Sequence, residues 1–133
     1  MLSVLRFNMK YLLLFLVLAL GGKHAWTHEF TPAYPTLEQS YMDGILVTKM
    51  LLFNRREDVT YYELSVFDGQ WNSIPFAATD KIVEVKYLQR KYVDIFIREK
   101  DRSRAVYICS KSKLQTDGGN ITVVSSRICS KIK

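Results

Sequence analysis

Residues 60–67, Thr60-Tyr61-Tyr62-Glu63-Leu64-Ser65-Val66-Phe67, alternate strictly between two chemistries. Tyr62, Leu64 and Val66 fall on one side, and Tyr61, Glu63 and Ser65 on the other. A period of two is what a half-buried β-strand requires, because successive side chains leave opposite faces of the pleat. Asp68-Gly69 closes the stretch with a turn signal. Everything after residue 25 reads the same way, as short strands between turns with no run of helical periodicity.

Six further segments fit the pattern. Residues 30–36 hold Pro32 and Pro35, which suits a sheet edge because proline donates nothing to a ladder. Residues 45–53 follow the Asp43-Gly44 turn and precede a polar connection over 54–58. Residues 70–80, with Trp71 and Pro75, are the least periodic stretch. Residues 81–87 and 92–98 are two more strands, and in the second Val93, Ile95 and Ile97 oppose Asp94 and Arg98. Residues 104–114 and 121–132 complete a set of seven. Seven strands in about 107 residues, joined every eight to twelve, predict an all-β, seven-stranded immunoglobulin-like β-sandwich over 26–133, with a small barrel as the competing architecture.

The first 25 residues stand apart. Arg6 and Lys10 precede an apolar run from Tyr11 to Leu20, followed by Gly21-Gly22. A basic flank, a short apolar stretch and small residues form the pattern of a signal peptide, here helical, and Met9 would serve equally well as a start. The run is too short for a bilayer-spanning helix, which needs about 20 residues. The expectation is an exported domain, periplasmic or extracellular, with no transmembrane span once the leader is cut. An uncleaved N-terminal anchor is the alternative.

The net charge of +6 is unevenly distributed. The leader holds three basic residues and no acid, residues 26–97 hold seven Lys/Arg against ten Asp/Glu, and residues 98–133 hold nine against three. One basic surface is expected rather than a generally basic protein.

The sharpest local inference concerns the C-terminal hairpin. Asp117-Gly118-Gly119-Asn120 is a tight-turn signal. Cys109 and Cys129 are equidistant from Gly119, so an antiparallel hairpin centred there sets them directly opposite, and an oxidising compartment would join them. Even-numbered Val106, Ile108, Val124, Ile128 and Ile132 would then face the core. Odd-numbered Lys111, Lys113, Arg127 and Lys131 would surround the disulfide on the outer face as an anion-binding patch. Lys111 would face Arg127, a like-charge pair that an anionic partner or acidic lipid surface would relieve.

Catalytic material is scarce. Both histidines, His24 and His28, lie near the leader, and no later one could serve a nucleophile. His28-Glu29 reads as chance composition rather than half a metal site, and Cys109 and Cys129 lack zinc-type spacing. Asp58 and Glu63 are carboxylates that nothing selects as a pair. No catalytic residue, metal or cofactor is expected, and the leader argues against nucleic acid as partner. Asn120-Ile121-Thr122 matches an N-glycosylation acceptor. Tyr61, Tyr62, Phe67, Trp71 and Phe76 would fill the core and its mouth, or line a groove.

Three stretches carry a family resemblance: Lys49-Met50-Leu51-Leu52-Phe53-Asn54, residues 92–98, and Ser125-Ser126-Arg127-Ile128-Cys129-Ser130-Lys131-Ile132-Lys133. With them residues 45–133 resemble the N-terminal immunoglobulin-like domain of the PapD-like periplasmic pilus chaperones. In that family the last strand lends apolar side chains to an incomplete pilin subunit, and a lysine helps bind the subunit's terminal carboxylate. The resemblance implies an assembly chaperone acting on a protein partner by strand addition, with Val124 and Ile128 as donors and Lys133 as anchor. The family's first-strand arginine has no counterpart, since no Lys or Arg occurs between Lys23 and Lys49. Ser126 breaks the apolar alternation, and the family's second domain is not represented. A structural or accessory protein of a virion or cell surface fits the same features.

Overall fold

The computed structural model describes residues 9–21, 26–114 and 124–133. Helix α1, Met9–Leu20, leads the chain with Tyr11, Leu13, Leu14, Phe15, Leu16 and Val17 exposed. Among the described residues no helix is long and apolar enough to cross a membrane. The 117–120 turn and the Asn120 acceptor lie outside the described residues.

Two four-stranded antiparallel sheets face each other. The first is built on β3 (Ile45–Phe53). One edge of β3 takes β6 (Arg90–Arg98) along its whole length. The other takes β1 (Glu29–Thr31) at one end and β2 (Glu38–Gln39) at the other. The second sheet runs in the order β5 (Ile82–Glu84), β4 (Tyr61–Phe67), β7 (Tyr107–Ser112), β8 (Arg127–Lys131). This is the expected all-β immunoglobulin-like sandwich.

The alternation read from the sequence selects the core. Tyr62, Leu64 and Val66 from β4 meet Leu46, Met50 and Leu52 from β3, with Val93, Ile95 and Ile97 from β6 and Ile108 from β7, all buried. Burying such side chains contributes roughly 1.5–3 kcal/mol each before chain entropy is set against it.

Among the described residues the strands number eight rather than seven. β2 is two residues long, which leaves no periodicity to read. The stretch expected as one strand over 30–36 is divided instead. After β1 the chain leaves β3 and crosses to the other sheet, where Ala33 O accepts from Lys131 N (2.9 Å) and Pro35 O from Lys133 N (3.0 Å). Pro32 and Pro35 cannot donate, so this segment can only accept along its proline positions.

Candidate functional site

β8 is the edge strand of its sheet and carries most of the residues singled out above. Its register on β7 pairs Cys109 with Cys129 and Lys111 with Arg127, as the symmetry about Gly119 implies. Hydrogen bonds from Ile132 N to Val106 O and from Ser112 N to Ser126 O show that even-numbered positions make the ladder. Cys109 and Cys129 are therefore a non-hydrogen-bonded pair, where side chains approach most closely. They form a disulfide with the Cα atoms 4.1 Å apart.

The bridge lies on the outer face, where Cys109 is fully buried between Ser65 on β4 and Cys129 on β8 while Cys129 is half-buried. Arg127 reaches from β8 across β7, its guanidinium carbon 5.4 Å from the centre of the Phe67 ring on β4. Trp71 packs on Phe67 and stacks flat on Tyr107 at 4.6 Å. Lys113 pairs with Glu63 at 3.1 Å, with both side chains nearly half exposed. The like-charge pressure between Lys111 and Arg127 is thus relieved inside the chain by Arg127 turning onto an aromatic face. Lys111, Arg127, Lys131 and Lys133 are all exposed, Arg127 with its guanidinium over Phe67.

Ile128 and Ile132 are half-buried and pack against the core. Val124 differs from its expected core-side place: it precedes β8 and is 63% exposed. With Ile128 turned inward, β8 offers a partner its backbone. Odd-numbered positions direct their N–H and C=O groups away from β7. At Lys131 and Lys133 the N–H is taken by the 33–35 segment. At Arg127 and Cys129 no backbone bond on that outer side is made among the described residues.

The residues that hold the start of β8 were not singled out from the sequence. Arg56, 8% exposed, grips Asp58 at two points, Nη2 to Oδ2 at 2.6 Å and Nε to Oδ1 at 2.9 Å. Its Nη2 also donates to Val124 O (2.8 Å) and its Nη1 to Ser126 Oγ (3.2 Å). Ser126 N donates to Ser112 Oγ at 2.8 Å, and Ser125 Oγ to Ser112 O at 3.0 Å. The hydrogen bonds to Arg56 hold the Asp58 carboxyl below its ordinary range, and those to Asp58 raise Arg56.

His28 completes this cluster. It is buried, not loose beside the leader, with Nε2 2.8 Å from Ser110 Oγ and Nδ1 3.3 Å from Ser126 Oγ. Burial pushes its pKa down to about 4, assisted by the nearby Arg56 charge and opposed by the hydrogen bond to the Ser110 backbone. Its ring lies 4.5 Å from that of Tyr62, whose hydroxyl donates to Asn54 Oδ1 and whose pKa burial raises. Asn54 Nδ2 in turn donates to Val59 O and Val85 O, and its Oδ1 also accepts from Arg56 N. Ser110 is fully buried.

The remaining aromatics divide. Tyr62 is core, Tyr61 is exposed, and Phe76 lines a surface groove of about 510 Å³ with Tyr41, Met42 and Phe96. Asp58 and Glu63 each belong to an ion pair with a different base. Among the described residues no cluster of His, Cys, Asp and Glu could hold a metal ion.

Fold and edge geometry define an immunoglobulin-like sandwich with one partly open terminal edge strand. Among solved structures, the E. coli chaperone DraB is similar to it, with a TM-score of 0.60 at 14% identity over 80% of this chain. The match covers 53% of the chaperone chain, so the present chain spans about half its length. The relation is one of fold. No protein-family model matches the chain, and no curated protein does.

Proposed function

We propose that the chain is an exported, non-enzymatic interaction module that takes an extended segment of a partner protein on the β8 edge. The observation that carries this reading is the pair of outward backbone positions, Arg127 and Cys129, left without a main-chain hydrogen-bond partner among the described residues. Such an edge gives affinity through main-chain bonds, and flanking side chains give selectivity. Lys111, Lys131 and Lys133 would favour a partner segment with acidic residues or a terminal carboxylate. A disulfide, an apolar leader and a chaperone of similar fold support export and an assembly role.

The test uses an edge-blocking substitution. Arg127→Pro removes one outward donor while leaving the even-numbered ladder to β7 intact. Partners captured from the exporting cell should be lost by Arg127→Pro and kept by Arg127→Ala, with both variants melting close to the parent. Equal capture by the two would end the reading. The acidic-lipid alternative draws less support, because Arg127 and Lys113 are engaged with Phe67 and Glu63.

A further inference from the structure

A second open edge lies on the opposite sheet, on β6. There the odd-numbered positions 91–97 bond to β3, and the even-numbered ones direct their N–H and C=O groups outward. Phe96 shows this directly, because its N–H and C=O exchange bonds of 2.8 and 2.9 Å with Ala77. Arg90, Tyr92 and Asp94 point the same way and make no such bonds among the described residues. Their side chains share the outer face of the sheet, with Tyr92 67% exposed. The stretch without main-chain partners is bounded by the Ala77 bridge at Phe96 and by the turn closed by Gln89 N on Lys86 O (2.9 Å), and Ala78, Thr79 and Asp80 flank it across a pocket shared with residues 91–94.

From this we infer that the β6 edge pairs with β6 of a second copy of the chain, antiparallel, about a two-fold axis through Tyr92. An axis there sets Tyr92 opposite Tyr92 of the second copy and Arg90 opposite Asp94 of the second copy, twice over. Residues 90–94 are the continuous stretch without outward main-chain partners among the described residues, and they are symmetrical about that axis. All three outward positions then exchange both main-chain bonds, giving six across the interface. Arg90 and Asp94 make no ion pair within the described chain, although Asp94 faces Lys49 across the β3 register, so the axis would give Arg90 a carboxylate and Asp94 a second cation. Arg90 is preset against Phe53, its guanidinium carbon 4.5 Å from the ring centre. Opposite charges face to face across paired strands stabilise a sheet, and like charges destabilise it. An isologous contact of this kind closes on itself and leaves no further β6 edge for growth. It joins the two first sheets into one of eight strands and leaves β8 free on each copy.

Charge reversal decides it. The chain is expressed from its own Met1 and the purified product is taken to sedimentation equilibrium, with circular dichroism as the check on folding. The parent should dimerise. Arg90→Asp and Asp94→Arg singly should each weaken the dimer more than about tenfold, since each turns both cross-axis pairs into repulsions. The double variant should restore it. Tyr92→Pro, which removes an outward donor without touching the β3 ladder, should abolish it. A monomeric parent, or single reversals that dimerise as the parent does, would overturn the inference.

Discussion

Arg56 and Asp58 form a two-point ion pair in which the arginine is nearly buried and the carboxylate half exposed, and the same guanidinium closes on Val124 O. One side chain therefore fastens the 54–58 connection to the start of the edge strand. A planar fork with several fixed donors suits this task, whereas a lysine would supply a single point of charge.

Removing the base should cost more than removing the acid. Arg56→Ala removes the bonds to Asp58, Val124 O and Ser126 Oγ together and frees residues 124–126, and should destabilise by about 3 kcal/mol. Asp58→Asn keeps shape and one acceptor at a site screened by water, and should cost about 1 kcal/mol. Arg56→Lys should fall between them. Urea unfolding at neutral pH, followed by tryptophan fluorescence, measures all three.

Acid should loosen the same region before it reaches the carboxylates. His28 has its pKa lowered from 6.5 to about 4 in the folded chain, so the unfolded state takes up the proton first. Its stabilising contribution is complete above about pH 6.5 and is lost as pH falls towards 4. The charged and titratable groups that face it are Arg56 and Tyr62, and Asp58, paired with Arg56, is itself held low. Stability measured between pH 7 and 4.5 should decline in the parent and stay nearly flat in His28→Gln. A parent curve that is flat across this window would refute the assignment.

The disulfide closes a loop of 20 residues between neighbouring strands. Loop-closure reasoning gives it about 3 kcal/mol of stabilisation. Cys109 is fully buried and Cys129 half-buried, so reductant should reach the bridge faster when β8 opens. Thiol labelling in dithiothreitol should accordingly be slow in the parent and much faster in Arg56→Ala. Intact mass without reductant should be two hydrogens below the reduced mass.

Much of the sandwich was legible because it rests on periodicity. The β4 alternation, Val93, Ile95 and Ile97 in β6, and the symmetry about Gly119 each needed only local spacing. β2 was not legible, being two residues long and defined by its pairing with Leu46 and Val47. The polar cluster was hidden for a different reason. His28 meets Ser110 across 82 positions and Arg56 meets Ser126 across 70, distances at which spacing carries no signal. One clue did lie in the sequence. Ser110, Ser112 and Ser126 occupy the core-facing parity of the hairpin, and polar side chains on a buried face need partners. Those partners turned out to be Arg56 and His28.

Ser130 sits on that same parity, and its hydroxyl is buried with no hydrogen-bond partner among the described residues. An unmet buried hydroxyl costs about 1–3 kcal/mol, and replacing it by a methyl group removes the cost without opening a large cavity. Ser130→Ala should therefore raise the stability of the domain by about 1 kcal/mol, whereas Ser126→Ala, which takes a bonded hydroxyl from Arg56, should lower it by a similar amount. Two serines four positions apart on one strand face should thus respond with opposite signs. Thermal melts of the two variants beside the parent read that sign, and a Ser130→Ala variant less stable than the parent would show that the hydroxyl is satisfied in solution.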